Sequence, residues 1–306
     1  MAATDSGGTS GRVVADLPGW NRDDHDAALA AYMTSVDLMP RDWPRQAQFA
    51  AQHFFETQFQ AVPLPEPALL TGYYEPELLG AIRPDARFCH ALYAPPPGLT
   101  DAAPWFTRAE IEAGNLLAGH EIVWLDSALE AFLVQVQGSC RVRLAGGGVL
   151  RLGFAAKNGQ PYVSIGKELI RQGALNDADA SVGAIRDWAA QHPDQVAGLL
   201  RTNPSFVFFR PLDLPADQGP LGTMQRPVTA FRSIAVDPDH VPLGAPVWVE
   251  WQGQASLMIA QDTGSAIKGP QRGDIFYGSG AAAGTHAGAL KTLGRMTVLM
   301  PKGPRP

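Results

Sequence analysis

Apolar residues recur along the chain at two different spacings, and the change of spacing divides it. Near the start, Leu29, Tyr32, Met33 and Val36 fall at helical spacing behind Asp23 and Asp24, either of which suits a helix N-cap. A second helix is expected after Pro44, with Ala51, Phe55 and Phe59 on one face as core residues. Between Pro63 and Ala103 the chain is rich in Pro, Gly and Tyr and carries few helix signals. Thr107 and Glu110 have the spacing of a capping box, before a short helix ending near Gly114. Residues 131–136 and 149–154 are apolar runs that read as strands. A helix is expected over 165–172, stopped by Gly173, and another carries Ile185 and Trp188 and ends before Pro193. Beyond Pro211 short β-like runs alternate with Gly/Pro turns, at 228–236, 246–251, 257–261, 275–277 and 296–300. This texture predicts a small barrel.

Composition narrows the class. A chain of 306 residues holds one large or two ordinary domains. It is 45% hydrophobic and 18% charged, as soluble globular proteins are, and its 32 glycines and 26 prolines imply many turns. Net charge is −6 and no Lys/Arg cluster exceeds two residues, so the basic footprint of a nucleic-acid binder is missing. No apolar run approaches the ~18 residues needed to span a membrane. Cys89 and Cys140 show no CxxC or Cys/His spacing, and the seven histidines are scattered, so neither a metal nor another cofactor is expected. A disulfide between the two cysteines stays open, because sequence does not show whether their Cα atoms approach. The first 16 residues carry no charged-then-apolar export pattern. Taken literally this is a cytosolic protein; the competing reading is an export signal that has been removed.

Candidate chemistry concentrates in the last third. Asp262 and Asp274 flank the Gly-rich stretch Thr263-Gly-Ser-Ala-Ile-Lys-Gly269, and Asp237 closes the run Ser233-Ile-Ala-Val-Asp237. Acids at strand ends project into loops, where sites are built. Ile275 and Phe276 follow Asp274 directly, and apolar neighbours disfavour a carboxyl's charged form. A carboxyl that keeps its proton near neutral pH can protonate a glycosidic oxygen. Asp-Thr-Gly and Asp-Pro are also ordinary turn sequences, so residue types alone leave each acid a structural reading. Arg272-Gly273-Asp274 also spells an integrin-recognition tripeptide, a three-letter match of the kind chance produces.

Four blocks in order, Ser233-Ile-Ala-Val-Asp-Pro, Val241-Pro-Leu-Gly, Gln261-Asp-Thr-Gly-Ser-Ala-Ile-Lys-Gly and Gly273-Asp-Ile-Phe-Tyr-Gly, resemble the three-aspartate (3D) domain, a double-psi β-barrel. Leu70-Thr-Gly-Tyr-Tyr-Glu-Pro-Glu77 resembles the opening motif of the membrane-bound lytic transglycosylase A family. So do 131–139, read as the insert domain's strand and turn, and Asn158-Gly-Gln-Pro-Tyr-Val-Ser-Ile-Gly166 and Asn203-Pro-Ser-Phe-Val-Phe-Phe209. The resemblance covers roughly 65–301. The family turn usually reads Gly-Ser-Gly where this chain has Gly138-Ser139-Cys140, and a Cβ there is strained if φ is positive.

The resemblance implies a mainly β fold with peripheral helices: a double-psi barrel from 1–90 plus 211–306, and an inserted β domain over 91–210, with a glycan groove between them. It implies cleavage of the β-1,4 bond between N-acetylmuramic acid and N-acetylglucosamine, leaving 1,6-anhydromuramic acid ends. Asp274 takes the role of the single acid/base, Asp262 orients or tunes it, and Asp237 holds a barrel loop. Tyr73 and Tyr74 offer ring faces to sugars. Glu75, Gln137, Gly138, Ser139, Asn158, Tyr162, Ser205, Gln261, Thr263 and Gly264 are the expected remaining substrate contacts. The partners implied are peptidoglycan glycan strands and other wall-remodelling proteins, with the chain a monomer. The location implied is the periplasm, with a lipid anchor to the outer membrane. Two other functions remain open: a non-enzymatic glycan-binding module, and a conventional hydrolase whose second carboxylate is Glu75 or Asp262.

Overall fold

The structure is a computed structural model that describes residues 12–45, 50–100, 102–177 and 181–303. In chain order the strands are β1 (Phe59–Pro63), β2 (Ala68–Glu75), β3 (Glu77–Ala81), β4 (His90–Tyr93), β5 (Glu121–Leu125), β6 (Ser139–Leu144), β7 (Val149–Lys157), β8 (Val207–Pro211), β9 (Ser233–Ala235), β10 (Pro246–Trp251), β11 (Gln254–Asp262), β12 (Arg272–Ser279) and β13 (Lys291–Pro301). The helices are α1 (His25–Met33), α2 (Ala51–Gln58), α3 (Arg108–Ala113), α4 (Ala128–Gln137), α5 (Ile165–Arg171), α6 (Val182–Gln191), α7 (Pro193–Arg201) and α8 (Gly280–Ala289). They form two compact units. The first comprises Met1–Gly72, Leu221–Tyr277 and Leu290–Pro306, the second Tyr73–Pro220 and Gly278–Ala289.

The first unit is the barrel. Its sheet runs β1-β13-β10-β11-β9-β12-β2, and a further β13–β2 pairing closes six of these strands into a ring. Closure leaves no free edges among those six. β9 pairs parallel with β11 and antiparallel with β12. The β-like run expected over 228–236 shrinks to the three residues of β9, because Phe231 takes φ of 58° and interrupts the extended backbone. Gln252 (φ 47°) and Gly253 (φ 77°) make the tight turn between β10 and β11. The core includes Trp20, Tyr32, Phe54, Phe55, Phe59 and Trp248. Tyr32 meets the rings of Phe54, Phe55 and Phe59 at centroid distances of 5.9, 6.1 and 5.9 Å. Phe59 is core as expected, but it begins β1 rather than ending α2. α1 starts where the sequence placed it, with the Asp24 side chain accepting from the Ala27 N–H at 3.0 Å.

His25 is 6% exposed, lies 4.4 Å from the Trp20 ring, and its Nε2 has no hydrogen-bond partner. Burial lowers its pKa below 6.5, against the nearby charges of Asp23 and Glu56. The unfolded chain therefore takes up this proton first as pH falls below that value, and stability is lost through the folded pKa. Thermal melts should show a smaller fall in Tm from pH 7 to pH 5 for His25→Phe than for the parent. An equal fall in both would remove His25 as the cause.

In the second unit a six-stranded sheet runs β4-β5-β3-β6-β7-β8, with α3 to α7 around it. The α3 capping box is present in both directions, between Thr107 and Glu110. Pro193 ends α6 and also starts α7 at the first helical position, where its missing N–H costs nothing. The run 131–136 is helix α4, not a strand. One side of it, Leu129, Phe132 and Leu133, joins the helical cluster around Leu169 and Trp188. The other, Ala131 and Val134, joins the sheet cluster with Val142 and Leu152. A helix buried on two sides is apolar nearly all round and loses the amphipathic pattern that identifies it.

Cys140 lies in β6, fully buried, and burial pushes its thiol pKa up. The positive φ falls on Gly138, at 80°, so the expected strain at Cys140 does not arise. Cys89 and Cys140 are both free thiols. The border between the units also falls elsewhere than the sequence placed it, at 72/73 rather than 90/91 and at 220/221 rather than 210/211. β3 already pairs with β5 and β6. The carbonyls of Pro215, Ala216 and Gln218 are held by Arg151 and Arg141 of the second sheet.

Candidate active site

Two of the three aspartates flank one strand. Ala235 of β9 registers with Asp262 of β11 on one side and with Asp274 of β12 on the other. The two acids are thus two strand spacings apart, about 10 Å between Cα atoms. A bulge makes this possible. Ala260 pairs with Ile234 and Asp262 with Ala235, so Gln261 is the extra residue. It turns inward, fully buried; its amide donates to Ala31 O, Thr34 Oγ1 and Ser35 Oγ, and its Oε1 accepts from Ser233 Oγ at 2.6 Å. Without the extra residue Asp262 would face the opposite side of the strand. Gln261 is therefore a support for the site rather than a glycan contact.

Asp274 is half-buried on β12. The preceding Gly273 allows close packing, since a Cβ there would lie 2.9 Å from Ile234 Cδ1 and 3.0 Å from Met296 Sδ. The Thr71 hydroxyl, from β2, donates to Asp274 Oδ1. Arg272 Nη2 donates to Thr71 Oγ1 at 2.8 Å, while its Nη1 donates to the carbonyls of Gly273 at 2.7 Å and Leu69 at 3.3 Å. A threonine hydroxyl has one proton. With Arg272 occupying its acceptor side, that proton is directed to Asp274, which leaves Oδ2 to carry the carboxyl's own proton. Desolvation raises the pKa of Asp274 above the usual 3.8, outweighing the Thr71 hydrogen bond and the Arg272 charge; the negative charge of Asp262 adds to the rise. Burial acts the other way on Arg272 and lowers its pKa.

Three hydrogen bonds converge on Oδ1 of Asp262. Its Oδ1 accepts from the Thr223 N–H at 3.0 Å, the Thr223 hydroxyl at 3.0 Å and the Thr263 N–H at 2.9 Å. Thr263 and Thr223 share a further hydroxyl–hydroxyl bond of 2.7 Å. Gly264 is half-buried against Ile267, whose Cγ1 would lie 2.7 Å from an added Cβ. Asp237, 4% exposed, accepts from the Gly269 N–H at 2.7 Å and pairs with Lys268 at 3.4 Å. The Gly269 bond, with smaller help from Asp239 N–H and Lys268, holds its pKa below the usual carboxylate value. An acid kept ionised in this way clamps the 263–269 loop to the end of β9 and is a poor proton donor.

Of the contacts expected in the second unit, two have no free hydrogen-bonding capacity. The Glu75 side chain is fully buried, paired with Arg141 at 2.6 Å and Arg151 at 3.0 Å, and it accepts from Ser279 Oγ at 2.7 Å. Asn158, 1% exposed, donates to Phe106 O and Pro204 O and accepts from Phe206 N–H and Gln160 N–H. That uses all four of its hydrogen-bonding positions. Both are structural, and these hydrogen bonds correct the expectation that they touch sugar. Ser205 is 9% exposed, and its main chain bonds Asn203 and Arg108. Ser139 is likewise buried, at the start of β6. Tyr73, Tyr74 and Tyr162 are half-buried, and burial raises the Tyr162 hydroxyl pKa. Gln137 Oε1 accepts from the Tyr74 N–H at 3.1 Å, and Gly138 caps α4 with open space where a side chain would be. Sequence reasoning missed Thr71, Arg272 and Thr223. Thr71 stands inside the quoted Leu70–Glu77 motif, and Arg272 belongs to the tripeptide set aside as chance.

Two family models match the chain, the MltA specific insert domain over residues 69–210 and the 3D domain over residues 232–300. The membrane-bound lytic murein transglycosylase A of Escherichia coli (strain K12) is 36% identical over 242 residues, covering 75% of this chain and 64% of the relative. The chain thus spans slightly less than two thirds of that protein. A membrane-bound lytic murein transglycosylase from Agrobacterium tumefaciens superposes with a TM-score of 0.83 at 30% identity, over 95% of this chain and 97% of that one. E. coli MltA, solved with bound chitohexaose, superposes with a TM-score of 0.79 at 27% identity, over 98% and 94%. Both domains are matched in order and a solved member aligns almost end to end, so the chain belongs to the membrane-bound lytic murein transglycosylase A family.

Proposed function

We propose that the chain is a lytic transglycosylase that cleaves the β-1,4 bond between N-acetylmuramic acid and N-acetylglucosamine, with Asp274 as its only acid/base. The observation that carries this is the Asp274 carboxyl itself. Burial favours its protonated form, and the Thr71 hydroxyl occupies Oδ1, which leaves Oδ2 to carry the proton. That proton passes to the leaving glycosidic oxygen as the C1–O bond breaks. The muramic acid C6 hydroxyl then attacks C1 and returns its own proton to Asp274, closing the 1,6-anhydro ring without consuming water. One carboxyl serves both steps, so the second carboxylate of an ordinary glycosidase is not required. Asp262, about 10 Å away between Cα atoms, acts electrostatically on Asp274 and on the positive charge that develops at C1.

Support from outside this chain is the chitohexaose bound to the E. coli relative and the activity in the relatives' names. Those names also include "membrane-bound". No helix among the described residues is long and apolar enough to cross a membrane. The proposal places the protein in the periplasm as a lipid-anchored monomer at the outer membrane, working beside other wall-remodelling proteins.

Mass spectrometry of sacculi digested by the purified protein tests the reaction. Anhydromuramic ends are the expected product. Reducing ends would make it a hydrolase, with Asp262 as second carboxylate because Glu75 is sealed in its ion pairs. No released fragments would make it a binding module.

A further inference from the structure

Thr223 lies outside every motif quoted above, yet both its N–H and its hydroxyl donate to Asp262 Oδ1. Residues 221–227 fold back on themselves through the Leu221–Pro227 bridge and the Gln225 N–H to Gly222 O bond of 2.8 Å. This small turn lies on β11. The Met224 N–H reaches Gln261 O at 3.3 Å, and a Cβ on Gly222 would stand 2.6 Å from that same oxygen. Gln225 takes φ of 56°, a left-handed conformation that non-glycine residues seldom adopt. Arg226 points away, to Thr34 O at 3.0 Å and Asp37 at 2.7 Å. The turn is thereby anchored at both ends, and its tip presents the Thr223 N–H and hydroxyl to one oxygen of Asp262.

We propose that Thr223 is a positioning residue of the reaction, fixing the Asp262 carboxylate in place across β9 from Asp274. This rests on the reading of Asp274 as the acid/base. Charged groups on the neighbouring elements have partners of their own. On β12 they are Asp274 and Arg272, the latter turned to Thr71. Past β9, Asp237 is paired with Lys268. On the 221–227 turn Arg226 is engaged by Asp37. Thr223 therefore contributes a neutral donor, and its chemistry on Asp262 is that of two hydrogen bonds to one carboxylate oxygen, which fix the group's orientation. The Thr263 hydroxyl donates in turn to Thr223 Oγ1 when the Thr223 proton goes to Asp262, giving a short relay with one direction.

The test is the pH dependence of kcat/KM in Thr223→Val, Thr223→Ser and the parent, with Tm measured on the same preparations. Valine keeps the shape and the backbone N–H but removes the hydroxyl. The alkaline limb, where Asp274 loses its proton, should move to lower pH, because the Asp262 charge that adds to the rise of its pKa is no longer held in place. Activity on the alkaline side should fall by roughly 2–10-fold, and Thr223→Ser should restore the parent profile. A uniform loss across pH, or a loss that serine does not restore, would make Thr223 merely structural and overturn the proposal, as would an unchanged profile. Asp274→Asn is run beside them. If that variant keeps its activity, the assignment of the acid/base fails, independently of how Thr223→Val behaves.

Discussion

Asp274→Asn should lose turnover by ~10²–10⁴-fold or more while gaining or keeping stability at pH 7. The loss reaches the top of that range because both proton transfers rest on one group, and an amide can perform neither. The stability half follows from the same burial. A carboxyl whose folded pKa lies above its unfolded 3.8 contributes its full stability only below that value, and the contribution is lost as pH rises through the folded pKa. At pH 7 the unfolded chain ionises this carboxyl freely while the folded site disfavours its charged form, a cost that asparagine does not have. Asn also keeps an oxygen to accept the Thr71 hydroxyl. Function and stability should therefore move in opposite directions, as they do where a site is held in a locally unfavourable state. Asp262→Asn should be milder and should change the pH profile more than the maximal rate. The deciding measurements are turnover, glycan affinity and Tm on each variant. Near-normal turnover in Asp274→Asn, or a greater loss in Asp262→Asn, would reassign the acid/base.

The two acids were legible as a pair because both stand at the edges of apolar runs, and their motif fixed their order. What the sequence did not reveal is how they are held. Thr71 lies 203 positions before Asp274, and only the β2–β12 pairing brings the two together. A one-residue bulge decides that Asp262 faces the site and Gln261 the core, and a bulge leaves no mark in apolar spacing. Asn158 and Glu75 were polar residues in matched motifs and so read as ligand contacts. Their partners, Phe106, Pro204, Arg141 and Arg151, come from distant segments, and only folding shows that their capacity is spent. The fold divides in the same way. β10, β11 and β13 carry continuous apolar runs bounded by turns and were found. The strands of the second unit were mostly missed, and α4, packed on two sides, read as the wrong element.

Glu75→Gln should be among the most destabilising single changes in the second unit, at about 3–5 kcal/mol, the usual effect of removing one partner from a buried ion pair. The carboxylate is fully buried between guanidiniums whose side chains are 14% and 6% exposed. Two positive charges would then face each other with only a neutral amide between them. Nor is Arg151 otherwise well provided for, since its Nε has no partner. The arginines would relax toward water, and in doing so release what their other nitrogens hold: Pro215 O by Arg151, and Ala216 O and Gln218 O by Arg141. Ser279, just before α8, would compete with the arginines for the one oxygen that glutamine retains. The effect therefore spreads beyond the pair. Tm should fall by roughly 10 °C, taking about 2–4 °C per kcal/mol for a chain of this size class. Hydrogen exchange and protease cleavage should increase first in 211–220. Glycan affinity of the folded fraction should stay close to the parent's, because the side chain does not reach solvent. A Tm within 2 °C of the parent together with a raised KM would return Glu75 to the list of sugar contacts and refute the structural role assigned to it.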